Sequence, residues 1–108
     1  MSKPRIWLSN RKPAKGEVVI VRAMVAHPME TGLRKQASGE LVPRNIINSF
    51  ACTLDGATLF TWRPETAVSP SPYLEFRFIA ETGGELAMRW TDDAGQTILA
   101  QERIEIAA

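Results

Sequence analysis

At 108 residues the chain has the length of one domain and leaves no room for a second core, so residues 1–108 read as a single unit. Apolar content of 44% with 23% charged residues is that of a soluble globular protein, and no run approaches the ~20 apolar residues of a spanning helix, so neither a disordered chain nor a membrane protein is expected. A formal net charge of +1, with no aromatics interleaved in a basic run, gives no reason to expect nucleic acid as a partner.

In chain order the elements are β. The opening MSKPRIWLSNRKPAKGE is basic but lacks the apolar stretch of a signal-peptide core, so no targeting segment is expected. Arg5 to Leu8 forms a short first edge strand, and Val18 to Val25 is a second window suited to a pleated, packed surface. In Ile46 to Leu54, the heavier apolar set Ile46, Asn48, Phe50, Cys52 and Leu54 faces inward, with Ile47, Ser49, Ala51 and Thr53 on the other face. Asp55-Gly56 is the strongest hairpin signal, returning the chain through Thr58, Phe60 and Trp62.

Beyond it, Leu74, Phe76, Phe78 and Ala80 alternate with Tyr73, Glu75, Arg77 and Ile79. Gly83-Gly84 breaks that strand, Leu86, Met88 and Trp90 resume the inward pattern, and Asp92 to Gly95 turns the chain into a last strand, Thr97 to Ile106. No window is a convincing amphipathic helix, and Pro64, Pro70 and Pro72 forbid one near Glu65. About seven strands in roughly 100 residues predict an all-β, immunoglobulin-like antiparallel sandwich.

Two stretches break the strand pattern. Residues 27 to 44, HPMETGLRKQASGELVPR, are long for a hairpin connection, and long ordered loops are often functional. Part of this stretch can extend the flanking strands, with its turn near Ser38-Gly39. Residues 63 to 72, RPETAVSPSP, form a proline-punctuated link without periodicity.

Catalytic parts are scarce. His27 is the sole histidine, serving either as the base of an enzyme site or as a loop imidazole that orders the His-Pro turn. Cys52, the sole cysteine, sits between Phe50 and Leu54 and reads as a buried, inert thiol; a strand flip would instead leave it at an interface, open to a disulfide with a partner. Asp92, Asp93 and Gly95 share residues with a calcium loop whose remaining ligands are missing, so a turn held by Asp side chains explains them, and no metal is expected.

Arg34, Lys35 and Arg44 either form an anion-attracting rim with His27, Glu30 pairing with one arginine, or merely solvate the loop. Trp7, Trp62 and Tyr73 are either core residues or interface anchors, Trp62 and Tyr73 lying beside the prolines. From the residues alone, a generic protein-interaction sandwich remains an alternative reading.

The blocks HPMETGLRK, VPRNIINSFACTLDG, SPSPYLEFRF and RWTDDAGQ resemble the SoxZ family of sulfur-oxidation proteins over nearly the whole chain. The most specific block is His27 to Gly32, which includes Met29 and Glu30, followed by Arg34; one departure is Ser71, where the family pattern has Asn. The resemblance implies a non-catalytic subunit without a cofactor, bound to a SoxY-type carrier whose cysteine bears thiosulfate-derived groups. It further implies transient contacts with other Sox components. It also implies a periplasmic location reached by export with the partner's twin-arginine signal.

Overall fold

The computed structural model describes residues 4–27, 29–63 and 72–107. Pro28 and most of the proline-rich link, including Ser71, lie outside the described residues. Seven strands are present: β1 (Arg5–Leu8), β2 (Val18–Met24), β3 (Ile47–Leu54), β4 (Ala57–Trp62), β5 (Tyr73–Ile79), β6 (Gly84–Asp92) and β7 (Thr97–Ile104). They form two antiparallel sheets, ordered β1-β2-β5 and β4-β3-β6-β7, the expected immunoglobulin-like sandwich.

Alternation builds the core as the sequence indicates. Leu74, Phe76, Phe78 and Ala80 are buried while Tyr73, Glu75, Arg77 and Ile79 face out. Leu86, Met88 and Trp90 face in from β6. Aromatic contacts join the two sheets: Phe76 lies 6.1 Å from Phe50 and stacks on Phe60 at 4.7 Å, while Phe50 meets Trp90 at 4.9 Å. Burying each such side chain fully contributes about 1.5–3 kcal/mol, so this cluster adds to the aliphatic core around it and links the two sheets.

Strand β3 departs from the simple alternation. Ile46 and Ile47 are both buried, whereas Asn48 is only half-buried. A register shift between Ile47 and Ser49 against β6 is the cause: a bulge turns two successive apolar residues toward the core and swings Asn48 out of it. A second shift, between Cys52 and Thr53, inserts Leu59 as an extra residue on β4.

The Asp55-Gly56 hairpin has positive φ at both residues, 47° and 87°, as its tight turn requires. At the same end of the molecule, Glu105 and Ala107 donate to the Arg11 and Pro13 carbonyls, tying the chain end to the β1–β2 loop. The opposite end gathers the β2–β3 connection, the β6–β7 turn and the starts of β1 and β5.

Candidate functional site

The β2–β3 connection is a projecting arm with an ordered base. Glu30 and Asn45 exchange backbone hydrogen bonds of 2.9 and 2.8 Å. Further out, Val42 donates to the Arg34 carbonyl and Gln36 to the Glu40 carbonyl, both at 2.7 Å, and Lys35 bridges Leu41. Residues 34–42 are thus a narrow antiparallel ribbon turning at Gly39, whose φ is 89°, so the flanking strands do extend toward a turn at Ser38-Gly39. With a long axis of 62 Å and a radius of gyration of 16.3 Å, the molecule is far more elongated than the ~13 Å radius of a compact chain of this length.

Two adjacent aspartates grip the base. The inward alternation of β6 continues past Trp90 to Asp92, a buried carboxylate that needs a partner. His27 supplies it: Nε2 lies 3.1 Å from Asp92 Oδ2, while Nδ1 accepts the Met29 N–H at 3.0 Å. Because Nδ1 accepts, the hydrogen-bond partners assign the ring proton to Nε2, which donates to Asp92. Asp92 Oδ1 also accepts the Gln96 N–H at 2.9 Å, closing the β6–β7 turn.

Asp93 holds the other limb. It accepts from Arg44 Nε at 2.7 Å, Asn48 Nδ2 at 2.9 Å and the Ile46 N–H at 3.3 Å. The Asn48 amide, working against partial desolvation and joined by Arg44 and the Ile46 N–H, holds Asp93 below the usual carboxylate range. The entering limb is therefore fixed by Asp92 and the departing limb by Asp93.

Met29 completes the clamp. Its side chain is buried in the core, its Sδ accepts the Ile47 N–H at 3.3 Å, and its φ is 51°. A left-handed methionine costs roughly 1–2 kcal/mol, which the His27 bond and this burial offset. Gly32, at φ 86°, packs against Arg44, with space for a Cβ only 3.3 Å from the Arg44 Cβ.

The anion rim assembled from the sequence is not formed as expected. His27 is buried and both its ring nitrogens are engaged, so it cannot join Arg34, Lys35 and Arg44 at a surface. Arg34 pairs with Glu30 through Nε and Nη2, the Nη2 contact being 2.7 Å, and the hydrogen bond holds the Glu30 carboxyl low. Arg44 pairs with Asp93. Both arginines keep exposed side chains on the arm.

Cys52 lies wholly within the core, where burial pushes its thiol up to about 12. A disulfide to a partner would require the sandwich to open, so the interface alternative for this residue is overturned. Trp62 and Tyr73 fall on different sheets: Trp62 is half-buried against the core opposite Phe50, and Tyr73 stands exposed on the outer face of β5. Among the described residues no group of three or more His, Cys, Asp or Glu side chains is placed to hold a metal ion.

Sequence reasoning missed the reach of Asp92, Asp93, Asn45 and Asn48. Parity along β6 carried the signal for Asp92, since the inward set Leu86, Met88 and Trp90 extends directly to it. The other three act across dozens of residues, Asn48 and Arg44 meeting Asp93 and the Asn45 Oδ1 accepting the Ala94 N–H at 3.2 Å, and no local pattern marks them.

Among solved structures, the chain matches the superoxide reductase (neelaredoxin) from Ignicoccus hospitalis at 15% identity and a TM-score of 0.69, covering 97% of this chain and 80% of that one. It matches the sulfur carrier protein SoxY from Chlorobium limicola f thiosulfatophilum at 11% identity and a TM-score of 0.67, covering 100% and 82%. A putative superoxide reductase from Thermotoga maritima matches at 12% identity and a TM-score of 0.64, covering 97% and 86%. At these identities the likeness is one of fold. No curated protein matches in sequence. The family model for sulphur oxidation protein SoxZ matches residues 8–102, from the end of β1 almost to the end of β7 and across both limbs of the clamped arm, and the chain belongs to that family.

Proposed function

We propose that this protein is a non-catalytic scaffold subunit that binds a SoxY-type sulfur carrier and helps present its cysteine-bound intermediates during periplasmic thiosulfate oxidation. The observation that carries the reading is the convergence of motifs. Three of the blocks that resemble the SoxZ family, around His27, Arg44 and Asp92, meet in one clamp whose output is an exposed arm. The clamp's groups are spent on holding the arm, His27 having both nitrogens bonded, and away from the clamp the Cys52 thiol is buried in the core. Such a device suits positioning of a partner better than covalent chemistry.

In this reading the chain reaches the periplasm with its exported partner, and the pair then meets the other Sox components in turn. The arm lies near the carrier's loaded cysteine, where Arg34 faces its anionic group with the guanidinium N–H groups that Glu30 leaves over. Arg34→Glu then slows carrier turnover several-fold while the pair stays assembled; unchanged kinetics would remove the arginine from this role.

The deciding experiment is co-expression with a SoxY-type carrier, followed by size-exclusion chromatography with light scattering. A stable one-to-one complex is expected, insensitive to reductant because Cys52 is buried. Separate elution of two folded proteins would overturn the scaffold reading and leave a generic interaction sandwich.

A further inference from the structure

The two sheets present different faces to solvent. On the β4-β3-β6-β7 sheet the outward positions include Ser49, Ala51, Thr53, Ala87 and Thr91, with Leu99 of β7, 62% exposed, the one large apolar side chain beside them. On the β1-β2-β5 sheet, Trp7 (47% exposed), Val18 (49%), Tyr73 (55%) and Ile79 (59%) all point outward. Val18 and Ile79 pair with each other at one end of this face and need no explanation, but Trp7 and Tyr73 lie close together at the other end around the half-buried Met24, a grouping of the kind that marks a protein contact.

Register gives the patch its organisation. Arg5, Met24 and Tyr73 are paired across the three strands, and Trp7, Arg22 and Glu75 form the next row. Between the rows lies a depression of about 270 Å³, bounded by Trp7 and Tyr73 with Met24 between them. Its walls are already set: the Arg22 guanidinium sits 4.5 Å over the Trp7 ring while its Nε bonds Glu75 at 2.8 Å. Trp, Tyr, Met and Arg are the side chains enriched where interfaces draw most of their affinity, and a preset wall loses little freedom on binding.

Charge narrows the occupant. Outward on this face are Arg5, Arg22 and Arg77 against Glu75, and Arg22 occupies Glu75. Among the described residues Arg5 and Arg77 have no carboxylate partner, so a complementary surface brings carboxylates to both flanks of an apolar centre.

We propose that the outer face of the β1-β2-β5 sheet, centred on the depression between Trp7, Met24 and Tyr73, is the seat of the carrier subunit, which inserts an apolar side chain there and rims it with carboxylates. This rests on the scaffold reading above and names the surface that reading leaves open.

The test compares faces in the co-expressed pair. Trp7→Ala with Tyr73→Ala weakens carrier binding at least 100-fold in biolayer interferometry. Arg5→Glu with Arg77→Glu weakens it about tenfold and reduces its salt dependence. Leu99→Glu on the opposite sheet stays within twofold of the parent. All of these side chains are exposed, and thermal unfolding of each variant checks that the sandwich survives. Retained binding in both double variants, or loss confined to Leu99→Glu, would overturn the assignment while leaving the scaffold reading intact. No binding by the parent chain would sink the scaffold reading and this one together. A homodimer of the isolated chain that the Trp7 and Tyr73 changes dissolve would give the face to a second copy and overturn the occupant.

Discussion

Residues 30–45 contribute nothing to the buried core, yet they are ordered at their base; the strands on either side are ordered because they fill that core. In the sandwich, position is fixed by apolar area and by long backbone ladders, forces that are non-directional and shared among many residues. In the arm it is fixed by a few directional bonds from Asp92 and Asp93, each with one donor in one place. The sandwich therefore tolerates a single loss gradually and fails as a whole, whereas the arm can be freed while the sandwich stands.

The largest test of that contrast is Phe50→Ala. Phe50 touches aromatics on both sheets, so its removal should cost roughly 3–5 kcal/mol and lower the protection of arm and strands together. Chemical denaturation and hydrogen exchange would check it; strands left protected while only the arm opens would break the comparison.

An intermediate effect is expected from His27→Phe, which leaves the Asp92 carboxylate and the Met29 N–H buried without their partner. About 3 kcal/mol of stability should be lost, and arm amides should exchange faster than those of β5. Equal loosening of both would place His27 in the sandwich rather than at the hinge between the two regimes.

The smallest effect is one of pH. Asp93 and Glu30 both have carboxyl pKa values lowered in the fold, Asp93 first by its Asn48 bond and Glu30 first by its Arg34 bond. Their contribution is full above the ordinary values of 3.8 and 4.5 and is lost as pH falls through the lowered ones. Arm signals in NMR should therefore broaden or shift below about pH 4 before the core resonances change. Simultaneous change in arm and core would show that the arm has no separate electrostatic hold.

The same contrast explains what could be read from the sequence. Period-two alternation carried β5 and β6, because a residue's face is decided by its immediate neighbours, while β2 was read from its β-branched composition. Asp55-Gly56 carried its hairpin for a similarly local reason, the need for positive φ. The β3 bulge was invisible, since Ile46-Ile47 reads as one inward and one outward residue until the β6 register is known. The arm's turn at Gly39 was legible, but its fastening was not: His27 meets Asp92 across 65 positions and Arg44 meets Asp93 across 49. Lone motifs gave the parts, and only the fold showed that they share one joint.

If the chain sits beside a sulfur-bearing cysteine, as proposed, the depth of Cys52 has a consequence. Sulfur groups pass between thiolates, and any accessible thiol nearby competes for them. With the Cys52 thiol pushed up to about 12, its thiolate at neutral pH is on the order of one part in 10⁵, and the core shields even that fraction. The scaffold would then carry a sulfur atom of its own that never enters the exchange, leaving the partner's cysteine as the sole address for cargo within the pair.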